Sequence, residues 1–311
     1  MKREIIHPAS EEDWLKLRKS DITSTMCSAL FGLSPYNTVF ELYHAKKGNL
    51  SLDIEENDRM AKGKRMEEYA ANEVCIEHGF TDLRRMDEYI RIPELRMGSS
   101  FDFEVVCPER GLGLLEMKAV EYSQYKEKWE DNEAPEHIEV QVQHQGMCAG
   151  SKYKWYGIAV FYTLYDHELI IREPDVSMQK SMASAIKKFW HDVDNDKEPD
   201  ADYYRDGEAI KELYEIHTEE LADLTEDDDM DILLSKHVRL KSEEKELTAE
   251  IKAVQAEIYE RLDGYKGAYT ATHKTSITQI KDTPAKTITE DMVGKEYGGR
   301  KGQKRLNVKV V

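Results

Sequence analysis

The sequence predicts an α/β protein in which a small mixed β-sheet is flanked by helices and followed by a charged, helical C-terminal extension. Helical and strand-like segments alternate through the first two thirds of the chain, as in proteins whose helices cover a sheet. Glycine and proline mark the ends of these segments. A strongly acidic stretch then separates them from a long, highly charged helical pattern.

The N-terminal segment predicts a helix, a turn and a second helix. Ser10 precedes three acidic residues, which is typical of a helix N-terminus. The residues Ser34–Asn37 favour a turn, and Thr38 is a suitable N-cap for a helix over Val39–Lys47. A longer helical pattern follows and ends at Gly79, a residue type suited to helix C-termini.

The central segment predicts the sheet and its main helices. Short β-branched and aromatic runs favour strands, whereas apolar residues spaced by three or four favour helices. The predicted strands are Tyr89–Ile92, Gly98–Val106, Gly113–Val120, Tyr153–Tyr162 and Glu168–Arg172, and the predicted helices are Asn57–His78, Pro135–Ala149 and Val176–Val193.

Charge divides the chain into two predicted domains, 1–195 and 196–311. The net charge of -18 comes mainly from Asp192–Asp231, which holds eighteen acidic and three basic residues. A helix over Asp231–Leu262, with leucines close to heptad spacing, and a basic, β-rich tail from Ala268 complete the second domain. Because the acids are concentrated in one stretch, the overall charge does not exclude nucleic-acid binding elsewhere.

Composition argues against several classes of protein. No segment approaches the roughly 20 apolar residues of a membrane span, and the N-terminal residues lack the apolar region of a secretory signal. We therefore expect a cytoplasmic protein with no membrane association. The four cysteines form no CxxC pair, so zinc or iron–sulfur ligation by cysteine is not expected.

Four short motifs between residues 63 and 145 carry the functional signal. They are Gly63-Lys-Arg-Met-Glu67, Ser100-Phe-Asp102, Leu115-Glu-Met-Lys118 and Gln141-Val-Gln-His-Gln145. Together they bring carboxylates, one ammonium group and a polar helix face into one short region. A metal-dependent phosphodiesterase requires that combination.

Asp102 and Glu116 are candidate metal ligands. Side chains opposite each other on antiparallel strands lie about 5 Å apart, and two carboxylates at that separation repel each other unless a cation lies between them. Hard oxygen ligands favour Mg²⁺, with Mn²⁺ as an alternative. The competing interpretation is two unrelated surface acids, but the apolar residues around Glu116 predict a half-buried strand, where unpaired charge is costly.

Lys118 and Glu67 are further catalytic candidates. Lys118 lies two residues after Glu116 and therefore on the same strand face, where its ammonium can orient an attacking water and offset phosphate charge. Glu67 on the long helix is a further acid, although the adjacent Glu68 is an alternative. Gly63, one turn earlier, would let this helix approach the sheet closely.

The polar face of the following helix supplies neutral candidates. Gln141 and Gln145 are one helical turn apart, and we select Gln141 for the site because an amide can bind a phosphate oxygen or a water. His144 is a structural residue or a phosphate contact rather than a general base.

These motifs resemble those of the PD-(D/E)XK nucleases, and most closely those of the phage lambda-type alkaline exonucleases, or YqaJ-type viral recombinase family. That family has GxxxE, SPD, LExK and QVQ motifs in this order. Trp14–Arg18 and Ile22–Thr25 are similar to the family's W-x-K-L-R and I-T-A-S segments. Phe101 replaces the proline of SPD, and Phe103 replaces the following glycine. The resemblance covers about Trp14–Phe161 and leaves the predicted second domain outside.

The resemblance implies a restriction-endonuclease-like core and a Mg²⁺-dependent 5′→3′ exonuclease that digests one strand of linear double-stranded DNA. Digestion would leave 3′ single-stranded overhangs for recombination by strand annealing. The implied roles are catalysis for Glu67, Asp102, Glu116, Lys118 and Gln141, metal ligation for Asp102, Glu116 and the Met117 carbonyl, and 5′-phosphate or DNA binding for Arg18, Thr25 and His144.

The resemblance also implies partners. A homo-oligomeric ring that encloses DNA, with a trimer favoured, and a single-strand annealing protein are expected. The alternatives are another nuclease of this fold, RecB-like or Cas4-like, and a non-catalytic DNA-binding or assembly protein on the same fold. Scattered cysteines argue against a Cas4-like iron–sulfur protein, and the presence of Asp102, Glu116 and Lys118 argues against a decayed nuclease.

Overall fold

The computed structural model describes residues 2–52, 58–129, 133–163, 166–214, 218, 220, 222–280, 286–287, 296–297 and 304–310. They belong to two compact units, Met1–His217 and Thr218–Val311. The first unit extends past the predicted domain boundary after residue 195. Thr38 donates a hydrogen bond of 2.6 Å to Asp206, and Arg205 donates one of 2.7 Å to the Ser34 carbonyl, so the start of the acidic stretch belongs to the first unit.

The predicted elements of the first unit are present with small shifts at their ends, except that predicted strand Gly98–Val106 is divided in two; Asn57 lies outside the described residues. The strands are β1 (Glu4–Ile6), β2 (Ile22–Thr23), β3 (Thr81–Arg85), β4 (Tyr89–Ile92), β5 (Met97–Ser99), β6 (Phe103–Cys107), β7 (Gly111–Ala119), β8 (Trp155–Phe161) and β9 (His167–Arg172). The α-helices are α1 (Glu11–Ser20), α2 (Ser24–Cys27), α3 (Val39–Lys47), α4 (Asp58–His78), α5 (Tyr122–Lys128), α6 (Glu136–Ala149), α7 (Val176–Asp194) and α8 (Gly207–Leu213).

The central sheet is mixed, as predicted. Its strand order is β3-β6-β7-β8-β9, in which β7 and β8 are parallel and the other neighbours are antiparallel. A separate four-stranded sheet has the order β1-β4-β5-β2. The chain therefore leaves one sheet at the end of β5 and enters the other at β6, and the residues between them carry the Ser100-Phe-Asp102 motif.

Two helices cover opposite faces of the central sheet. Ile138 and Val142 of α6 pack in a core that includes Ile158 of β8. Val74 of α4 packs in a second core that includes Leu115 of β7. Strand β7 is consequently buried on both faces through its middle, and side chains that alternate along it face α4 and α6 in turn.

Glycine at position 146 allows α6 to approach the sheet closely. A Cβ atom at Gly146 would lie 1.9 Å from Cζ of Tyr156 in β8, so any larger residue would displace the helix or the ring. Gly63 does not have the close-approach role predicted for it, because no described atom lies within 4 Å of a Cβ at that position. Gly63 faces open space instead.

The second unit contains a long helix and short strands. They are α9 (Asp228–Leu262), β10 (Gly267–Tyr269), β11 (His273–Gln279), β12 (Lys286–Thr287), β13 (Glu296–Tyr297) and β14 (Lys304–Val310). Strands β10, β11 and β14 form an antiparallel sheet, and β12 pairs with β13. Helix α9 begins earlier than predicted because Asp227 caps it by accepting from the Met230 amide. The rest of the predicted basic tail lies outside the described residues.

The apolar residues that gave α9 its predicted seam are exposed, among them Leu233, Leu240 and Leu247. A helix with an exposed apolar stripe of this kind is suited to pairing with another helix. In the part of the chain that the structure describes, no helix is both long enough and apolar enough for a membrane crossing.

Candidate active site

Glu116 is the centre of the candidate site. It lies on β7, and its side chain is 6% exposed. Lys118 donates a hydrogen bond of 2.5 Å to one carboxylate oxygen, and Gln141 donates one of 2.6 Å to the same oxygen. Gln145 donates one of 2.6 Å to the other oxygen. Three donors around a buried carboxylate fix its orientation and offset part of its charge.

Asp102 lies beside Glu116, immediately before β6. The pairing of Phe103 with Leu115 continues toward these two acids, and Asp102 accepts a hydrogen bond of 2.8 Å from the Met117 amide. Burial raises the pKa of the Asp102 carboxyl well above its ordinary value, and the Glu116 carboxylate raises it further. Lys118 and the Met117 amide oppose this rise in the pKa. The predicted proximity of the two acids is therefore present, together with the electrostatic repulsion expected from it.

Lys118 lies next to both acids. Burial alone would lower the pKa of its ammonium, but the Glu116 and Asp102 carboxylates outweigh burial, and the pKa is raised above the ordinary lysine value. Lys118 is consequently a cation at neutral pH. Its side chain lines a cleft of about 570 Å³ on one side and a second groove, lined also by Tyr36 and His137, on the other. A phosphate group entering either space would meet this ammonium.

Glu67 faces the site from α4, across the sheet from the glutamines. It lines the same cleft as Lys118, and its charge contributes to the raised pKa of Asp102, although it is the smallest contributor. Glu67 also accepts a hydrogen bond of 3.2 Å from Arg85. The neighbouring Glu68 is exposed. The structure thus favours Glu67 over Glu68 as the acid nearer the site.

Arg18, Thr25 and Trp14 lie together and are called the Arg18 cluster. The Arg18 guanidinium donates a 3.4 Å hydrogen bond to Thr25 and lies 4.5 Å from the Trp14 ring centroid. Trp14 donates a 2.8 Å hydrogen bond to the Ser100 hydroxyl, and Gln145 donates a weaker one of 3.3 Å to the Ser100 carbonyl. Ser100 therefore connects the Arg18 cluster with Gln145, which contacts the carboxylate pair.

His144 does not reach the site or the surface. It is fully buried, and burial lowers the pKa of its imidazole to about 3, against a hydrogen bond to the Ile22 backbone that would raise it. One helical turn away, Cys148 lies 3.8 Å from Nδ1 of His144. The prediction of a DNA contact at His144 is therefore wrong, because this neutral ring faces the core behind α6.

Met117 joins the two acids through its backbone. Its backbone amide donates a hydrogen bond to the Asp102 carboxylate, and its side chain is buried in the core under α4. The peptide that follows Glu116 consequently lies between the predicted metal ligands. This position is consistent with a carbonyl ligand at Met117, which stays a prediction.

Sequence reasoning missed part of the support for this site. Gln145 ranked behind Gln141, yet both amides contact Glu116; their spacing of four residues was the available signal. Asp21 was not predicted at all. It is fully buried after α1, and Arg91 donates a 2.7 Å hydrogen bond to it. The Lys46 ammonium donates to the carbonyls of Arg18 and Asp21, both at 2.7 Å, and so caps the end of α1 beside the Arg18 cluster.

The donor set fits a hard divalent cation. Two adjacent carboxylates, one of them with a strongly raised pKa, form a pair that a cation would relieve. Oxygen ligands in a partly open site suit Mg²⁺ or Mn²⁺ rather than softer metals. An aspartate just before one strand and a Glu-x-Lys pair on the adjacent strand, supported by glutamines from the helix behind, form the arrangement that the resemblance to PD-(D/E)XK nucleases implies.

Comparison with known proteins finds similarity to one family. Residues 13–152 match the family model of the YqaJ-like viral recombinase domain. The chain is 28% identical over 284 residues to the uncharacterized protein YqaJ of Bacillus subtilis (strain 168), a match that covers 88% of this chain and 86% of that protein.

Solved structures give a similar but weaker match. An alkaline exonuclease, LHK-Exo, from Laribacter hongkongensis is 19% identical, with a TM-score of 0.49 over 64% of this chain and 98% of that one. The structure of LHK-Exo in complex with dAMP matches with a TM-score of 0.47 at the same identity and coverage.

Proposed function

We propose that this chain is a divalent-metal-dependent 5′→3′ exonuclease. It digests one strand of linear double-stranded DNA and leaves 3′ single-stranded overhangs for recombination by strand annealing. The observation that carries the proposal is the convergence of Asp102, Glu116 and Lys118 beside an open cleft, with two glutamines bonded to the central carboxylate. The match of residues 13–152 to the YqaJ-like viral recombinase domain supports the same function.

The acids and the adjacent peptide are proposed to hold the metal. Asp102, Glu116 and the Met117 carbonyl would be the ligands, and Mg²⁺ or Mn²⁺ the ion. Such an ion, when bound, supplies Lewis acidity toward the scissile phosphate and the attacking water. Gln141 and Gln145 keep the Glu116 carboxylate in one orientation without adding negative charge.

Lys118 is proposed to act as a fixed cation. Because the pKa of its ammonium is raised, Lys118 donates hydrogen bonds at neutral pH and does not accept a proton. Its ammonium would orient the attacking water and offset the charge that develops on the phosphate. Glu67, at the rim of the same cleft, would assist through a water molecule.

The Arg18 cluster is proposed to form a phosphate pocket that defines which end of the strand is attacked. A guanidinium can bind a phosphate with two parallel hydrogen bonds, and the Thr25 hydroxyl can donate another. Ser100 lies between this pocket and the catalytic acids. A terminal 5′-phosphate held there would place the first phosphodiester bond near Asp102. His144 has no part in this proposal because it is buried.

A homo-oligomeric ring, with a trimer favoured, and a single-strand annealing partner complete the proposal. The family resemblance supports both, and the exposed apolar stripe of α9 offers a surface for self-association or docking. Light scattering on the full chain and on a chain ending at residue 217 tests this part. If both proteins form particles with the same number of chains, α9 is not needed for self-association.

The direction of digestion is tested with two labels on one substrate. A linear duplex carrying a 5′-phosphate is labelled at either the 5′ or the 3′ end and incubated with Mg²⁺, with and without chelator. We expect early release of the 5′ label, retention of the 3′ label in long fragments, and no cleavage with chelator. Covalently closed circular DNA is the matched control and is expected to stay intact. Digestion of circles at the linear rate, or earlier release of the 3′ label, would contradict the proposal.

A further inference from the structure

A second group of metal-ligating side chains lies at the far end of α4, outside the carboxylate site. Glu77 and His78 are the last two residues of α4, and His167 is the first residue of β9. One ligand atom from each of the three side chains lies within 4.8 Å of the other two. The group therefore joins a helix end to an edge strand of the central sheet.

His167 is held in place, and its Nε2 has no hydrogen-bond partner among the described residues. Its side chain is 5% exposed, and its ring stacks on Phe161 with a centroid distance of 4.7 Å and an interplanar angle of 18°. Nε2 is buried without a hydrogen-bond partner among the described residues, and it lies 3.4 Å from a Glu77 oxygen outside hydrogen-bonding geometry. A buried imidazole nitrogen without a partner is costly, so such an atom calls for a ligand.

We propose that Glu77, His78 and His167 form a binding site for a divalent transition metal of the zinc class. Two imidazoles and one carboxylate are a ligand set that zinc uses, with a water in the fourth position. Around a tetrahedral ion, ligand atoms lie about 3.3 Å apart, given metal–nitrogen distances of about 2.0–2.1 Å. The separation of His167 from Glu77 already matches this value, and the exposed Glu77 and His78 side chains are able to close the remaining gap.

Two features of the surroundings favour a cation here. The group lies at the C-terminal end of α4, where the last carbonyl groups carry partial negative charge. The His78 ring also contacts the His167 ring edge to face, with centroids 6.0 Å apart, so both imidazoles are present at one location before any ion binds. Nitrogen ligands distinguish this site from the oxygen site at Asp102, because imidazole favours zinc, nickel and copper over magnesium.

The role of the ion would be to fasten α4 to β9. Phe161, on which His167 stacks, also lines the cleft beside Lys118, and α4 carries Glu67 into the same cleft. The ion would therefore stabilise the elements that form one wall of the cleft. This inference does not depend on nuclease activity.

The test is zinc binding by the full chain after metal removal. Isothermal titration with ZnCl₂ is performed in excess Mg²⁺, which occupies oxygen-rich sites. We expect about one high-affinity zinc ion per chain and a higher melting temperature with zinc. The substitutions Glu77→Gln and His78→Gln, both at exposed positions, are expected to weaken binding at least tenfold without unfolding the protein. His167→Gln is expected to abolish binding.

The matched control is His237→Gln, which removes an exposed histidine of α9 and is expected to keep wild-type affinity. Circular dichroism confirms that each variant is folded. Wild-type zinc affinity in the Glu77, His78 and His167 variants would overturn the assignment, as would the absence of high-affinity binding by the wild type. The assignment would also be overturned if His237→Gln lost as much zinc affinity as His78→Gln.

Discussion

Replacing Asp102 by asparagine is expected to stabilise the metal-free protein while removing its response to Mg²⁺. Opposed carboxylates about 5 Å apart repel by about 3 kcal/mol at an effective dielectric constant of about 20. Lys118 attracts both acids and offsets part of this repulsion. Asparagine keeps an oxygen that can accept from the Met117 amide. We therefore expect a gain of about 1–2 kcal/mol in the free energy of unfolding at pH 8.

The gain depends on pH in a defined direction. The pKa of Asp102 is raised in the folded protein, so its protonation stabilises the folded state. That stabilisation is complete below the pKa of the unfolded chain, about 4, and is lost as the pH rises through the folded-state pKa. The wild type thus carries the cost of the ionised pair at pH 8, and the difference between the two proteins is expected to shrink toward pH 4.

The assay is thermal and urea unfolding of both proteins between pH 4 and pH 9, with and without Mg²⁺. For a unit of this size, about 1–2 kcal/mol corresponds to a rise of roughly 2–8 °C in melting temperature. The control Asp87→Asn removes an exposed carboxylate and is expected to change neither stability nor the Mg²⁺ response. If Asp102→Asn is no more stable than wild type at pH 8, or is still stabilised by Mg²⁺, the carboxylate pair is not the metal site.

Four further outcomes follow from the same geometry. Lys118→Ala is expected to bind DNA ends but to cut at least tenfold more slowly; single-turnover rates equal to wild type would remove this ammonium from the mechanism. Gln145→Leu is expected to slow cutting about tenfold because a short hydrogen bond to the charged Glu116 is lost, and an unchanged rate would show that one glutamine suffices. Arg18→Ala is expected to raise KM for 5′-phosphorylated ends while leaving KM for 5′-hydroxyl ends unchanged; equal effects on both ends would exclude a terminal-phosphate pocket. Gly63→Ala is expected to keep or raise the melting temperature, since alanine favours helices by up to about 1 kcal/mol and the added methyl meets nothing; a fall would restore a packing role for this glycine.

The sequence predicted most helices, and the shared face of Glu116 and Lys118, because the signals for these features are local. Thr38 is the N-cap of α3, completed by Glu41 in a capping box, and Gly79 adopts the left-handed conformation after α4. Glu116 and Lys118 share a strand face because side chains alternate along a strand. Such rules need only neighbouring residues.

Features that depend on distant contacts were beyond the sequence patterns. The division of Gly98–Val106 between two sheets depends on which strands pair, and one sequence does not specify the partners. His144 is one residue from the site glutamine Gln145, yet the rotation of about 100° per residue in a helix turns its ring into the core. The glycine that permits close packing is Gly146 and not Gly63, because the decisive neighbour is the distant Tyr156 ring.

The close contact between Gly146 and the Tyr156 ring sets the distance between α6 and the sheet. The two amides that hold Glu116 lie on the same helix, one residue and five residues before this glycine. A methyl group added at position 146 would have to displace either the Tyr156 ring or α6, and a shift of α6 would move both amides relative to Glu116. A change at a position that contacts neither carboxylate would in that case disturb the carboxylate pair through the helix behind it.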